Sequence, residues 1–279
     1  MKTFTLKLSA WRENALKEAQ PFMDCYILDD IYGCAYKDKR PAVLVLPGSG
    51  YSMCCPREGE SVAMEFARLG FQTFVLYYRC KTVYPAPLYD AAEAMTLIRD
   101  NAENWELDPN KVAILGFSAG GHLAALLSCL WNDPIIVQGG FAPQKARPNG
   151  LILGYPVITG EKGKCHEGSF EWLLGDKLNE MRGEMSLETR VTKNNPPTFI
   201  WSTAEDNAVP VISSFRFAAA LAQAGVSVET HIFPRGGHGS ALCRMQTCGN
   251  NPEHEIPENA IWIDLCGGWI KRLFGTGLE

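Results

Sequence analysis

Short apolar runs alternate with longer stretches of mixed apolar and polar residues along most of this 279-residue chain. The short runs have the length of buried strands, and the longer stretches carry apolar residues at helical spacing. Strands that alternate with helices in this way favour an α/β fold with a mostly parallel central sheet flanked by helices. The predicted core strands are 42–46, 72–78, 111–115, 151–153, 198–202 and 227–233.

One long segment interrupts this alternation. Residues 159–195 are polar and dotted with glycine, with a single short helical piece at 169–174. A segment of this length without a core strand usually covers a site or contacts a partner. We therefore predict a single domain over 1–279 with a partial lid at 159–195. The predicted helices are 61–69, 88–101, 119–130, 211–224 and 257–274.

The N terminus predicts a strand instead of a targeting signal. Residues 1–10 alternate polar residues with Phe4, Leu6 and Leu8 and lack the apolar core of a signal peptide. No later stretch approaches the roughly 20 apolar residues that span a bilayer. The formal net charge of -5, without a run of like charges, disfavours binding to nucleic acid or to an anionic membrane. We expect a cytoplasmic protein.

The ten cysteines predict buried reduced thiols, because they are scattered through apparent core segments of a long chain. Neither the adjacent pair Cys54 and Cys55 nor the pair Cys243 and Cys248 has a common zinc spacing. No metal is therefore expected.

Residues 116–120 read Gly-Phe-Ser-Ala-Gly between a predicted strand and an alanine- and leucine-rich helix. In this setting the string is typical of a nucleophile elbow, where side chains flanking the serine would collide with backbone. A serine that only caps the helix is the alternative, and it would not explain both glycines. We predict Ser118 as the nucleophile and the amide of Ala119 as an oxyanion donor at the helix N terminus. We expect His122, one turn further on, to be structural.

A glycine-rich loop, Pro-Gly-Ser-Gly-Tyr at 47–51, directly follows the first core strand. Glycines after a strand can mark a plain turn. In α/β-hydrolases, however, the loop after this early strand supplies backbone amides to the oxyanion hole, and glycine allows close approach to the substrate. We therefore predict Ser49 and Gly50 as oxyanion donors beside Ala119.

A serine nucleophile needs an adjacent base, and a carboxylate must orient that base. His238 alone among the five histidines lies in a glycine-rich loop after a late strand and before the last predicted helix. Asp206 follows the strand at 198–202 closely enough to reach that loop. Helix capping is the alternative role for Asp206, and Glu205 is the rival acid. We predict His238 as the base and Asp206 as the acid, in the chain order of the α/β-hydrolase triad.

Together these motifs resemble the carbohydrate-acetylesterase and carboxylesterase branch of the α/β-hydrolases, from about residue 40 to the C terminus. This branch is related to hormone-sensitive-lipase-like esterases and prolyl-oligopeptidase-type peptidases. Segments 155–158 and 166–175 also look like acetylxylan-esterase-type members, which implies acetylated carbohydrates as substrates, with Tyr51 and Tyr155 near them. Ser49 stands where family members usually carry glycine, which implies a small acyl group such as acetate.

The resemblance implies serine-dependent hydrolysis of a carboxylic ester without any cofactor. The expected partner is a small ester, such as an acetylated sugar or oligosaccharide, and both a monomer and a homodimer are compatible with the sequence. A prolyl-oligopeptidase-like peptidase is one alternative, although such enzymes commonly add a gating domain. A non-catalytic ligand-binding protein is the other, although such proteins usually lack a triad residue.

Overall fold

One eight-stranded sheet runs through the part of the chain that the computed structural model describes, residues 1–9, 20–29 and 39–275. Its strands are β1 (Lys2–Lys7), β2 (Phe22–Ile27), β3 (Arg40–Leu46), β4 (Gln72–Tyr77), β5 (Leu107–Phe117), β6 (Gly150–Gly154), β7 (Thr198–Thr203) and β8 (Val228–Phe233). They lie side by side in the order β1-β2-β4-β3-β5-β6-β7-β8. The pairs from β4 to β8 are parallel, and β1 and β2 add an antiparallel edge.

The six predicted core strands are confirmed as β3 to β8. The central strands β3 and β6 and the second half of β5 are almost entirely buried, because helices cover both faces of the sheet. β1 lies within the predicted strand at 1–10, of which residue 10 falls outside the described residues.

The sequence pattern missed β2, which pairs between β1 and β4. Asp24 interrupts the run of apolar residues by which a buried strand is recognised in the sequence. In the structure the Asp24 carboxylate accepts a hydrogen bond of 2.5 Å from the Thr5 hydroxyl on the neighbouring strand. The cross-strand partner makes a charged side chain compatible with this position.

Helices confirm most of the predicted pattern. In the described residues they are α1 (Glu60–Arg68), α2 (Ala86–Asp100), α3 (Ser118–Leu130), α4 (Pro134–Gln138), α5 (Pro143–Ala146), α6 (Glu167–Leu174), α7 (Leu178–Met181), α8 (Ile212–Gln223), α9 (Met245–Cys248) and α10 (Trp262–Phe274). None of them is long and apolar enough to cross a lipid bilayer.

The last helix, α10, begins five residues later than the predicted 257–274. The side chain of Asn259 is buried and donates a hydrogen bond of 2.8 Å to the carbonyl of Arg235. This contact holds the preceding residues in turns, so the helix starts only at Trp262.

Two apolar cores, one on each face of the sheet, fix the sheet between its helices. One contains side chains of α2, α3 and α8, and the other contains side chains of α1 and α10. Since β3, β5, β7 and β8 are parallel, their carboxyl ends share one edge of the sheet. The loop at 47–51 and residues Ser118, Asp206 and His238 all follow these strand ends. The fold therefore brings all four predicted site segments to a single edge.

Candidate active site

Ser118 occupies a sharp turn between β5 and α3. Its φ of 51° lies in the left-handed region, which costs a non-glycine residue of order 1–3 kcal/mol unless the surroundings enforce it. A Cβ on Gly116 would lie 2.2 Å from the carbonyl oxygen of Gly120, and a Cβ on Gly120 would lie 2.2 Å from that of Leu46. Strand, turn and helix are thus packed so closely that both flanking positions require glycine.

Ser118, His238 and Asp206 form a continuous hydrogen-bonded line. The Nε2 atom of His238 lies 2.8 Å from the Oγ atom of Ser118, and Nδ1 lies 2.7 Å from the Oδ2 atom of Asp206. An ionised carboxylate only accepts hydrogen bonds, so Nδ1 carries the proton and Nε2 is free to accept the hydroxyl proton. The line has the geometry of a nucleophile, its base and an orienting acid.

The Asp206 carboxylate is held from both sides. Its side chain is 1 % exposed, and Oδ1 accepts hydrogen bonds of 2.9 Å and 2.8 Å from the amides of Ala208 and Val209. These bonds stay within its own loop, so Asp206 does not cap α8. The rival acid, Glu205, instead accepts a hydrogen bond of 3.2 Å from the amide of Gly236. Glu205 therefore supports the backbone of the histidine loop.

The loop at 47–51 packs directly against Ser118. A Cβ on Gly48 would lie 2.8 Å from the Cβ of Ser118. Ser49 and Gly50 have φ values of 108° and 64°, so the chain turns sharply beside the serine. Within the described residues, the amides of Ser49, Gly50 and Ala119 donate no hydrogen bond to a protein acceptor. Three uncommitted donors near Ser118 are what an oxyanion hole requires.

Tyr51, predicted to contact substrate, instead lies inside the protein. Its side chain is 1 % exposed, and its hydroxyl lies 2.8 Å from Nδ1 of His122. The Nε2 atom of His122 lies 3.0 Å from the carbonyl of Met185, which can only accept, so Nε2 carries the proton. His122 thus connects α3, the 47–51 loop and the 159–195 segment, which is a structural role.

Acid should destabilise the protein through His122. Burial lowers the pKa of His122 from 6.5 to about 4. Between pH 6.5 and pH 4 the imidazole is therefore protonated in the unfolded chain but neutral in the folded chain. The contribution of His122 to the free energy of unfolding is complete above pH 6.5. It falls by roughly 3 kcal/mol as the pH falls towards 4. Urea denaturation across this range should show a smaller pH dependence for His122→Gln, and an unchanged dependence would contradict this assignment.

Tyr155, also predicted to contact substrate, is likewise buried. Its hydroxyl donates to Oε1 of Glu58 at 2.7 Å and accepts from the amide of Ala241 at 3.0 Å. Its ring meets that of His238 edge-on, with centroids 4.9 Å apart. The structure therefore gives Tyr155 a supporting position behind the histidine.

Sequence reasoning missed Glu58, which is hydrogen-bonded to the 47–51 loop and to Tyr155, the residue that packs against His238. Its carboxylate is buried and accepts hydrogen bonds from the amide of Gly48 at 2.6 Å and from Tyr155. Burial raises the pKa of Glu58. A glutamate beside Arg57 in a polar stretch predicts an exposed side chain, so no sequence signal identifies this position.

The cysteines of the described residues are free thiols. Cys54, just beyond the 47–51 loop, has its sulfur 3.8 Å from that of Cys80. Over residues 1–9, 20–29 and 39–275, no group of three or more His, Cys, Asp or Glu side chains could hold a metal ion.

A mostly parallel sheet with a serine elbow, a histidine loop and an acid loop at its carboxyl edge defines the α/β-hydrolase fold. The sequence profile of the BD-FAE family matches residues 29–221, and the chain belongs to this family.

Two solved structures are similar over nearly the whole chain. One is an acetyl ester-xyloside bifunctional hydrolase from Caldicellulosiruptor lactoaceticus, 34 % identical, with a TM-score of 0.78 over 93 % of this chain and 90 % of that one. The other is the carboxylesterase Cest-2923 from Lactobacillus plantarum WCFS1, 25 % identical, with a TM-score of 0.84 over 98 % of each chain. These similarities confirm the predicted fold and the predicted family resemblance.

Two longer relatives resemble it in sequence. An acetylxylan esterase of Xylanibacter ruminicola is 31 % identical over all of this chain and 56 % of its own length. Endo-1,4-beta-xylanase B of Butyrivibrio fibrisolvens is 38 % identical over 82 % of this chain and 37 % of its own length. The chain thus matches only part of each of these relatives.

Proposed function

We propose that this chain is a serine-dependent carboxylic ester hydrolase that removes acetyl groups from carbohydrates. The observation that carries the proposal is the hydrogen-bonded line from Ser118 through His238 to Asp206, beside three uncommitted amides. Ligand binding alone does not require a strained serine that is hydrogen-bonded to an imidazole, or a buried carboxylate that orients this imidazole.

The first half of the reaction acylates the serine. His238 Nε2 takes the proton from Ser118 Oγ while Oγ attacks the acyl carbon. The negative charge that develops on the carbonyl oxygen faces the amides of Ser49, Gly50 and Ala119. The imidazolium, stabilised by Asp206, then gives its proton to the alcohol oxygen, the C–O bond breaks, and the alcohol leaves.

The second half releases the acid by the same groups. His238 Nε2 takes a proton from a water molecule, whose oxygen attacks the acetyl group on Ser118. The oxyanion again faces the three amides, and the imidazolium returns the proton to Oγ as acetate leaves. Every proton transfer passes through His238, so the reaction needs no further base.

Two observations support acetylated carbohydrates as substrates: the activities named for similar proteins, and the residues of the 47–51 loop that would form the oxyanion hole. An acetylxylan esterase and an acetyl ester-xyloside hydrolase are among the similar proteins. The loop at 47–51 packs against Ser118 at Gly48, and Ser49 stands in this loop where similar esterases usually carry glycine, which favours a small acyl group such as acetate.

Acetate release should distinguish this activity from its rivals. We expect the purified chain to release acetate from acetylated xylo-oligosaccharides. We also expect it to hydrolyse p-nitrophenyl acetate at least about tenfold faster than p-nitrophenyl butyrate. The reason is that an extra methylene group that fits poorly raises the activation free energy by roughly 1–3 kcal/mol. Proline-containing chromogenic peptides serve as the control. Cleavage of those peptides without release of acetate would contradict the proposal.

The segment 159–195 is proposed as a partial lid over this site. It carries α6 and α7 and, among its described residues, no strand of the sheet. Two contacts tie it to the site. Met185 accepts the hydrogen bond from His122, and the ring of His166 lies against Gly50.

A further inference from the structure

The imidazole of His166 is a polar group beside the site that the proposed reaction does not use. His166 directly precedes α6, and its Nδ1 atom accepts a hydrogen bond of 3.2 Å from the amide of Ser169. The Oγ atom of the buried Ser169 lies 2.9 Å from the same nitrogen. Two contacts to one nitrogen fix the plane of the ring.

These contacts also fix where the ring carries its proton. A backbone N–H can only donate, so Nδ1 accepts and the neutral ring has its hydrogen on Nε2. Burial lowers the pKa of His166, which favours this neutral form at pH 7. Among the described residues, Nε2 has no hydrogen-bond partner. His166 therefore offers one fixed, unused N–H donor.

The ring lies over the oxyanion loop. A Cβ on Gly50 would be 3.3 Å from Cε1 of His166, the carbon bonded to Nε2. Gly50 is one of the proposed oxyanion donors, so the His166 ring lies beside the loop that would hold the carbonyl oxygen of the ester.

An acetyl ester has few atoms that could accept from this donor. Its carbonyl oxygen is directed to the amides of the oxyanion hole, and its methyl group has no acceptor. The bridging ester oxygen takes the proton from His238 as the alcohol leaves, so the remaining acceptors are the hydroxyl and ring oxygens of the sugar. We infer that the Nε2–H group of His166 donates a hydrogen bond to an oxygen of the acetylated sugar and so selects carbohydrate esters over simple esters.

This inference rests on the proposed function, and paired substrates test it. The variants are His166→Ala, His166→Gln and His166→Asn. The amide nitrogen of glutamine reaches about the position of Nε2, whereas that of asparagine reaches about the position of Nδ1. The substrates are acetylated xylobiose and p-nitrophenyl acetate, which has no sugar oxygens.

We expect His166→Ala and His166→Asn to lower kcat/KM for acetylated xylobiose by about five- to tenfold, the effect usually seen on loss of one hydrogen bond. Turnover of p-nitrophenyl acetate should change by less than about twofold, and His166→Gln should recover most of the loss. An equal loss on both substrates would make His166 an oxyanion donor or a structural residue, and no loss on either would remove its role. Both results overturn the inference. Wild-type protein that hydrolyses neither substrate would instead overturn the proposed function.

Discussion

Ser118→Ala is expected to lower kcat for p-nitrophenyl acetate by about a million-fold, the order of loss seen when a nucleophile is removed from a serine hydrolase. Without Oγ, the imidazole of His238 has no hydroxyl to deprotonate, and no acyl-enzyme can form. The oxyanion amides and the binding site remain, so weak residual hydrolysis above the rate in water should persist.

The matched control for this variant is Ser128→Ala on the same helix. Ser128 is buried like Ser118, but its hydroxyl donates to the carbonyl of Ala124 within α3, at 2.8 Å. We expect its kcat to stay within about threefold of wild type, because a single hydrogen bond contributes roughly 1 kcal/mol to stability and none to the reaction. Turnover in Ser118→Ala comparable with that in Ser128→Ala would remove the nucleophile assignment.

Asp206→Asn should give the second largest loss, about 10⁴-fold in kcat. The asparagine side chain can still accept at Oδ1 from the amides of Ala208 and Val209, so its amide nitrogen would face Nδ1 of His238. The amide N–H of the new asparagine and an N–H at Nδ1 of His238 cannot form a hydrogen bond with each other, because both are donors. The ring would take the tautomer with the proton on Nε2, which cannot accept the proton of Ser118.

Glu205→Gln is the control for the acid. Glu205 accepts from the backbone amide of Gly236, and glutamine can do the same through its carbonyl oxygen. We expect kcat to fall by less than about tenfold, measured with the same ester at pH 7. A larger loss for Glu205→Gln than for Asp206→Asn would exchange the roles of the two carboxylates.

The site segments could be predicted because each has a local signature. Glycine is required at 116 and 120 because a Cβ at either position would lie 2.2 Å from a backbone carbonyl oxygen. Such a steric requirement is visible in the sequence as a motif between a strand and a helix. A parallel sheet then brings the carboxyl ends of its strands to one edge, so chain order alone indicated where Asp206 and His238 would lie.

The supporting residues could not be predicted, because their roles depend on contacts between distant segments. The family resemblance placed Tyr51 and Tyr155 near the substrate, but His122 and Glu58 provide buried partners 71 and 97 residues away along the chain. A buried glutamate contradicts the usual preference of that residue for the surface. The position of His166 over Gly50 likewise arises only from the fold of the 159–195 segment.

The central claim is that Ser118 forms the covalent acyl intermediate, and labelling with a fluorophosphonate probe tests it most directly. The account predicts one adduct per chain, located by mass spectrometry on Ser118, formed at the rate at which ester hydrolysis is lost and greatly slowed in Asp206→Asn. Stoichiometric labelling of another residue, or full hydrolytic activity in protein whose Ser118 is completely labelled, would contradict it.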